Sequence, residues 1–302
     1  MTPPGHHSLF TDGKPVDFPA VTMLMASRPL LEREIRRRVE SISNVDVIHA
    51  RAIGLQHGGG TIQGITYQLT DSETKGGRVL GVDVAVDAMG RGSRMASWLE
   101  EDGFPAPVLH RIPVGISYTT ALFSRLQSRR ESNISCALNQ IVSTPPGVFP
   151  SRFSATRQLV AVAAYAIEGD RWQVVVITRG YDRMKMTPQD VRDVCAGLPV
   201  VFREATLGPP IGEPASFYYG DSRRRSPMKT EDLPIGLFSV GDSVASFNPI
   251  HGEGISIAAR QAAILAEQFS ATDDMATRTR EFIRNRELII GETWNSEEMN
   301  GL

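Results

Sequence analysis

The stretch Leu237-Phe-Ser-Val-Gly-Asp-Ser-Val-Ala-Ser-Phe-Asn-Pro-Ile-His-Gly-Glu-Gly-Ile-Ser256 decides how the chain reads. A short apolar strand, Leu237 to Val240, runs into a loop that carries Gly241, Asp242, Pro249, Gly252, Glu253 and Gly254, and a helix follows from about Ile255 to Phe269. The first amides of a helix have no intrahelical acceptor and carry partial positive charge, so such an end stabilises an electron-rich group. Gly252 and Gly254 let a flat ligand approach the backbone, and Asp242 can accept hydrogen bonds from ligand hydroxyls. Residue chemistry alone describes a site for a polyol joined to an anion. The plainer alternative is a tight glycine turn capped by Asp242.

A second segment has the same style. Val82-Asp-Val-Ala-Val86 is an apolar strand that ends in Asp87-Ala-Met-Gly-Arg-Gly-Ser93, a glycine-containing turn at the place where open α/β sheets bind ligands. Upstream, Ser27 to Val39 reads as a helix, with Pro29 in its first turn and Leu31, Ile35 and Val39 on one face. Its late arginines, Arg36 to Arg38, suit a solvated helix end. Three extended runs follow, Val45 to Ala52, Thr61 to Leu69 and Arg78 to Val86, broken by Gly58-Gly-Gly60 and Lys75-Gly-Gly77.

Between these segments the style changes. Asn133 to Val142, Gln158 to Ile167 and Trp172 to Thr178 are successive strand-like runs with short gaps, which predicts antiparallel pairing. Thr187-Pro-Gln-Asp190 opens a helix with a capping box. The expected organisation is an α/β domain interrupted by an α+β domain, with divisions at 1–104, 105–230 and 231–302; Ala271 to Leu302 is helical in composition.

Composition narrows the partners. With 302 residues the length suits roughly two domains at about 150 residues each. Lys+Arg 32 against Asp+Glu 34 gives a net charge of -2, no field for nucleic acid or an anionic membrane. Hydrophobic content of 41% with 22% charged residues argues for a packed core, and no apolar run reaches the ~20 residues of a spanning helix. Cys136 and Cys195 form no metal-ligand spacing and suit a reducing compartment, so the expected location is cytoplasmic, without stable membrane insertion and without a metal. Met1 to Phe10 has neither the basic nor the apolar region of a signal peptide.

The string Gly241 to Ser256 resembles the second flavin-binding motif of FAD-dependent monooxygenases of the p-hydroxybenzoate hydroxylase type. Three more segments resemble that family in the same order: Ser27 to Leu31, Val84 to Arg94, and Tyr218 to Arg225, so the resemblance extends from about Phe18 to Phe269. It implies a Rossmann-like FAD-binding domain with an inserted α+β substrate domain built on an antiparallel sheet. It further implies that Asp242 binds the ribityl chain and that Pro249 lies beside the isoalloxazine. The turn at Gly252 and Gly254 would point helix amides at the flavin pyrimidine edge, Arg28 would lie near the cofactor, and Asp87 and Gly90 would line the turn below it. Gly241, Glu253 and Ile255 complete the expected cofactor-binding set. No catalytic acid or base is assigned.

Departures from the family pattern accompany the resemblance. Met89 stands where threonine is common, and His251 and Glu253 where an aromatic and a glutamine are frequent. The sequence holds no strand, G-x-G-x-x-G turn and helix, which implies an FAD-binding domain incomplete at its N-terminus, a chain that starts about 30 residues or more late, and little or no bound FAD. The leading expectation is an oxidoreductase that uses FAD, NAD(P)H and oxygen to hydroxylate or epoxidise a small apolar or aromatic organic substrate. Phe149, Phe153, Tyr165, Phe217 and Tyr218 are the aromatic candidates for contacting it. The alternatives are a flavin-dependent reductase of isoprenoid type and an inactive truncated remnant, or a half-protein needing a separate chain for the dinucleotide-binding unit. A halogenase is disfavoured, because Trp98, Trp172 and Trp294 form no Trp-x-Trp pair.

Overall fold

The structure is a computed structural model that describes residues 6–17, 24–70, 76–126, 134–141, 158–180, 185–227 and 233–300. In chain order its first elements are β1 (His6–Thr11), β2 (Lys14–Val16), α1 (Arg28–Glu40), β3 (Ala50–Gly58), β4 (Thr61–Leu69), β5 (Arg78–Gly81), β6 (Ala85–Asp87), α2 (Met95–Glu101) and β7 (Val108–Ser124). They continue as β8 (Ile134–Gln140), β9 (Gln158–Ile167), β10 (Arg171–Arg179), α3 (Pro188–Ala196), α4 (Val200–Thr206), β11 (Ala215–Ser226), β12 (Leu237–Ser239), β13 (Ala245–Ser246), α5 (Gly254–Ala271) and α6 (Met275–Asn300). Two compact units result: residues 1–46 with 115–220, and residues 47–114 with 221–302. The long strands β7 and β11 contribute residues to both.

The first unit is built on a sheet in the order β11, β7, β10, β9, β8, β1, β2. As expected from the short gaps, β10 is antiparallel to β9 and β9 to β8, while β10 also pairs antiparallel with β7, a strand the sequence reading did not assign. One face of β9 and β10 presents Val162, Ala164, Ala166, Trp172, Val174 and Val176, which join Val191, Val194, Val201 and Phe202 of α3 and α4 in one buried cluster. Buried and half-buried positions alternate along β10 from Arg171 to Val176, whereas Ala161 to Ala164 of β9 are buried in succession, so that stretch is covered on both faces. Helix α3 opens as its sequence dictates: the Thr187 side chain accepts from the Asp190 amide, and the Asp190 carboxylate accepts from the Thr187 amide at 2.6 Å.

Helix α1 starts at the Ser27 cap, whose own amide and hydroxyl donate to the Glu168 carboxylate at 2.9 and 2.5 Å. Burial would push the Glu168 carboxyl up, but these two bonds and the Arg171 guanidinium hold it below the ordinary carboxylate range. The apolar stripe of α1 is not a core face: Leu31, Ile35 and Val39 are all exposed. Strand β1, which the sequence left unassigned, pairs in parallel with β8.

The second unit holds an antiparallel sheet in the order β3, β4, β5 and a parallel pair, β12 beside β6. The run Arg78 to Val86, expected as one strand, is two. Its first part pairs with β4, and after a break at Val82 to Val84 its second part pairs with β12. Similarly, Val45 to Ala52 contributes only its last residues to β3, which begins at Ala50. Gly236 enables the close packing at the break: its φ is +87°, and a Cβ there would lie 2.9 Å from the Asp83 carbonyl oxygen. Met95, Trp98 and Leu99 of α2 cover Leu55, Ile62, Ala85 and Leu237. Helix α6 buries Ile289, Ile290 and Trp294 against Val244, Ala245, Phe247 and Ile257. No helix among the described residues is long and apolar enough to cross a membrane, and no group of three or more His, Cys, Asp or Glu there could hold a metal ion.

Candidate functional site

The parallel pairing of β6 with β12 sets Asp87 opposite Ser239, so the two strands end side by side. Both sequence motifs therefore begin at one edge. The Val240 amide donates to the Asp87 carbonyl oxygen at 2.9 Å, and the Ser243 hydroxyl donates to the same oxygen at 2.9 Å. Arg225 of β11 completes the tie, donating to the Ser243 and Arg91 carbonyl oxygens at 3.0 and 3.1 Å.

Within this edge the expected residues divide by task. Asp87 is buried, and its carboxylate accepts from the Met89 amide at 3.0 Å and the Ser93 hydroxyl at 2.6 Å. Its charge organises its own turn. Gly90 has φ +69° with open space where a Cβ would stand. Asp242 is exposed in a single 3₁₀ turn, Gly241–Ser243, directly after β12. Gly241 has φ +61°, and its amide donates to Gln261 Oε1 at 2.7 Å.

Beyond β13 the loop turns again at Pro249–His251, where the Asn248 side chain accepts from the Ile250 amide at 3.2 Å. Gly252 follows in the left-handed region at φ +68°. Pro249, Gly252, Glu253 and Ile255 are exposed and Gly254 is half-buried. A Cβ added at either Gly252 or Gly254 would meet nothing within 4 Å. Glu253 precedes α5 with no side-chain hydrogen bond to the helix start, and the first helical bond runs from the Ile257 amide to the Glu253 carbonyl oxygen at 2.9 Å. Loop and helix thus present an uncapped positive end beside an approachable glycine turn.

Arg28 belongs to the other compact unit, at the start of α1, and its guanidinium pairs with Glu32 at 2.6 Å. Among the aromatic candidates of that unit, Phe217 and Tyr218 are exposed, and burial pushes the Tyr165 hydroxyl up to about 12. Phe149 and Phe153, like Phe18, lie outside the described residues. Tyr118, which the sequence did not single out, has a buried hydroxyl without a partner among the described residues; burial and then neighbouring Tyr219 raise its pKa.

Several supporting residues received no role from the sequence, although Arg91 lies in the segment Val84 to Arg94 and Asp221, Arg223 and Arg224 lie in the segment Tyr218 to Arg225. Arg91 donates to the Asp221 carboxylate at 2.8 Å, to the Asp221 carbonyl oxygen at 2.9 Å and to the Ser246 hydroxyl. Arg111 and Arg223 reach the same carboxylate at 2.9 and 3.0 Å. Burial would raise the Asp221 pKa, yet the hydrogen bonds from Arg223 and Arg91 outweigh it and hold the group low. From α6, buried Arg286 donates to the Ser239 carbonyl oxygen at 3.1 Å and is held at 2.8 Å by Glu287, which also pairs with Arg224 at 2.9 Å. Gln261 carried the one readable signal, a polar residue one turn after Ile257 on the buried stripe of α5.

No family model matches the sequence. Protein Rv3254 of Mycobacterium tuberculosis is 29% identical over 263 residues, which covers 83% of this chain and 51% of that protein. The chain therefore spans about half the length of the curated relative it matches. Among solved structures, Klebsiella pneumoniae HpxO complexed with FAD and uric acid has a TM-score of 0.62 at 15% identity, covering 98% of this chain and 72% of that one. The tetrameric form of 2-methyl-3-hydroxypyridine-5-carboxylic acid oxygenase gives 0.64 at 13%, covering 99% and 72%. The flavin-dependent brominase Bmp2 gives 0.64 at 14%, covering 94% and 67%. The chain has the fold of these proteins, which include an oxygenase and a flavin-dependent brominase alike.

Proposed function

We propose that the chain is an FAD-dependent oxidoreductase, a monooxygenase that takes electrons from NAD(P)H and hydroxylates or epoxidises a small apolar or aromatic molecule with oxygen. The observation that carries this reading is the uncapped start of α5 behind an open glycine turn, beside the ends of two parallel strands. When bound, the flavin would supply the redox chemistry, and the protein would supply position and electrostatics.

The residues present fit the ring and ribityl end of such a cofactor. Asp242 is exposed at the strand end to accept ribityl hydroxyls, the α5 amides favour electron density at the pyrimidine edge, and Gly252 and Gly254 leave room for a flat ring beside Pro249. Glu253 places a negative charge next to the same helix start, so its side chain works against the dipole where it faces the ring. Gly90 and Asp87 shape the neighbouring turn, the carboxylate through its own backbone. Among the described residues no G-x-G-x-x-G turn offers a cradle for the cofactor's pyrophosphate.

The test is flavin retention. Titrating the purified protein with FAD, followed by visible absorbance, is expected to show weak binding, in keeping with the missing pyrophosphate cradle, that Asp242→Ala weakens further by about tenfold or more, the loss of one to two hydrogen bonds to a charged acceptor. Equal retention by parent and variant would remove the site assignment. A parent that holds no flavin at any concentration would favour the inactive remnant.

A further inference from the structure

Near the end of α6, Glu297 is 5% exposed and lies under the loop just described. Its Oε1 accepts the backbone N–H of Asn248, the residue before Pro249. Its Oε2 has no hydrogen-bond partner among the described residues. The groups that face it come from every neighbouring element: the Ser222 hydroxyl on β11, His251 in the loop and Glu253 at the start of α5. Next to it on α6, Glu298 is already engaged by the Trp294 indole N–H at 2.7 Å. A carboxyl buried at this depth, with one oxygen given to a loop amide, is a costly residue to place where only packing is needed.

We propose that Glu297 is a positioning residue that fixes the Asn248–Pro249 backbone against α6, and thereby sets where the glycine turn and the α5 amides stand. Its consequence for a cofactor rests on the flavin reading above; its effect on the loop does not. The geometry also names the working form. One oxygen accepts the Asn248 amide and the other lies buried with only the Ser222 hydroxyl facing it, so it is burial that favours the neutral carboxyl over the carboxylate. Burial raises the Glu297 pKa, with the amide of Asn248, Ser222 and His251 opposing and Glu253 reinforcing. A glutamine can make the same acceptance and can offer its amide N–H to Ser222.

The test is amide hydrogen exchange without flavin on the parent and on Glu297→Gln, Glu297→Leu and Glu297→Ala. The expected result is parent-like protection at Asn248 and the amides after it in Glu297→Gln, and exchange about tenfold faster or more there in Glu297→Leu and Glu297→Ala, with β4 unchanged. Protection of Asn248 in the leucine variant, or loss of it in the glutamine variant, would overturn the proposal. If the leucine and alanine variants do not fold, the near-isosteric glutamine variant still decides: it must keep Asn248 protected. Repeating the exchange with FAD separates the two readings. A loop that loosens in Glu297→Ala but ignores FAD in the parent keeps the positioning role and removes the flavin.

Discussion

Helices α3 and α5 both follow a loop and open with a glycine or proline, and they end up in opposite conditions. Helix α3 is closed at its start by a reciprocal capping box and buries four of its nine residues, Asp190, Val191, Val194 and Cys195. Helix α5 has no side-chain cap and buries two of eighteen, Ile257 and Gln261. A cap satisfies the first amides with the protein's own oxygen atoms; an uncapped start leaves them for something else. The contrast teaches which helix ends serve the fold and which are presented outward, and it argues that α5 is held by its few inward contacts and by α6 rather than by its own packing.

The contrast can be broken most severely under α3. Phe202→Ala, in the cluster that α3 and α4 share, should cost about 3–5 kcal/mol in urea unfolding, whereas Ile255→Ala on α5 should change stability by less than about 0.5 kcal/mol. Equal losses would mean that α5 is as firmly packed as α3.

Next in size is the shared carboxylate that ties the turns of the second unit. Asp221→Asn leaves Arg91, Arg111 and Arg223 without their common anion and should cost about 1–2 kcal/mol, discounted because the three guanidinium groups keep part of their hydration. The pH dependence has a definite sign. The native pKa of Asp221 is depressed, so its contribution is fully present above the ordinary value of about 3.9 and is lost as pH falls through the lower native value. Acid unfolding curves of the asparagine variant should lack that fall.

Glu297 has the opposite sign. Its native pKa is raised, so its contribution is complete below the ordinary carboxylate value and declines as pH rises towards the native one. Glu297→Gln should therefore be at least as stable as the parent at neutral pH, with a flatter dependence over that window in thermal unfolding. A marked loss of stability would show that the charged form is the one the site needs. The smallest effect sharpens the original comparison: Thr187→Ala removes the α3 cap and should cost about 1 kcal/mol, while Glu253→Ala at the uncapped start of α5 should stay within about 0.5 kcal/mol.

Local chemistry made much of this fold readable. The capping box at Thr187 and Asp190, the strands Thr61–Leu69 and Gln158–Ile167, and the glycine loop before α5 all follow from residues close in sequence. What escaped depends on distant partners. Strand β1 has no apolar alternation and exists because it pairs with β8, well over a hundred residues on. The break between β5 and β6 is decided by which neighbour each half meets, and the stripe of α1 looks like a core face yet stays exposed. At the site, Asp242 and the glycines announce themselves, but the residues that hold them do not. Arg91 reaches Ser246 across 155 positions, Arg286 reaches Ser239 across 47, and Glu297 reaches Asn248 across 49. A buried charged side chain on a helix is visible in sequence only as one more surface arginine or glutamate.

The most direct measurement of the account is the footprint of added flavin on backbone amides, read by nuclear magnetic resonance or hydrogen exchange. Shifts and protection concentrated at Gly252 to Ile257 and at Gly241 and Asp242, with the sheet of β3, β4 and β5 unaffected, are predicted. Saturable flavin binding that leaves those amides untouched would contradict it.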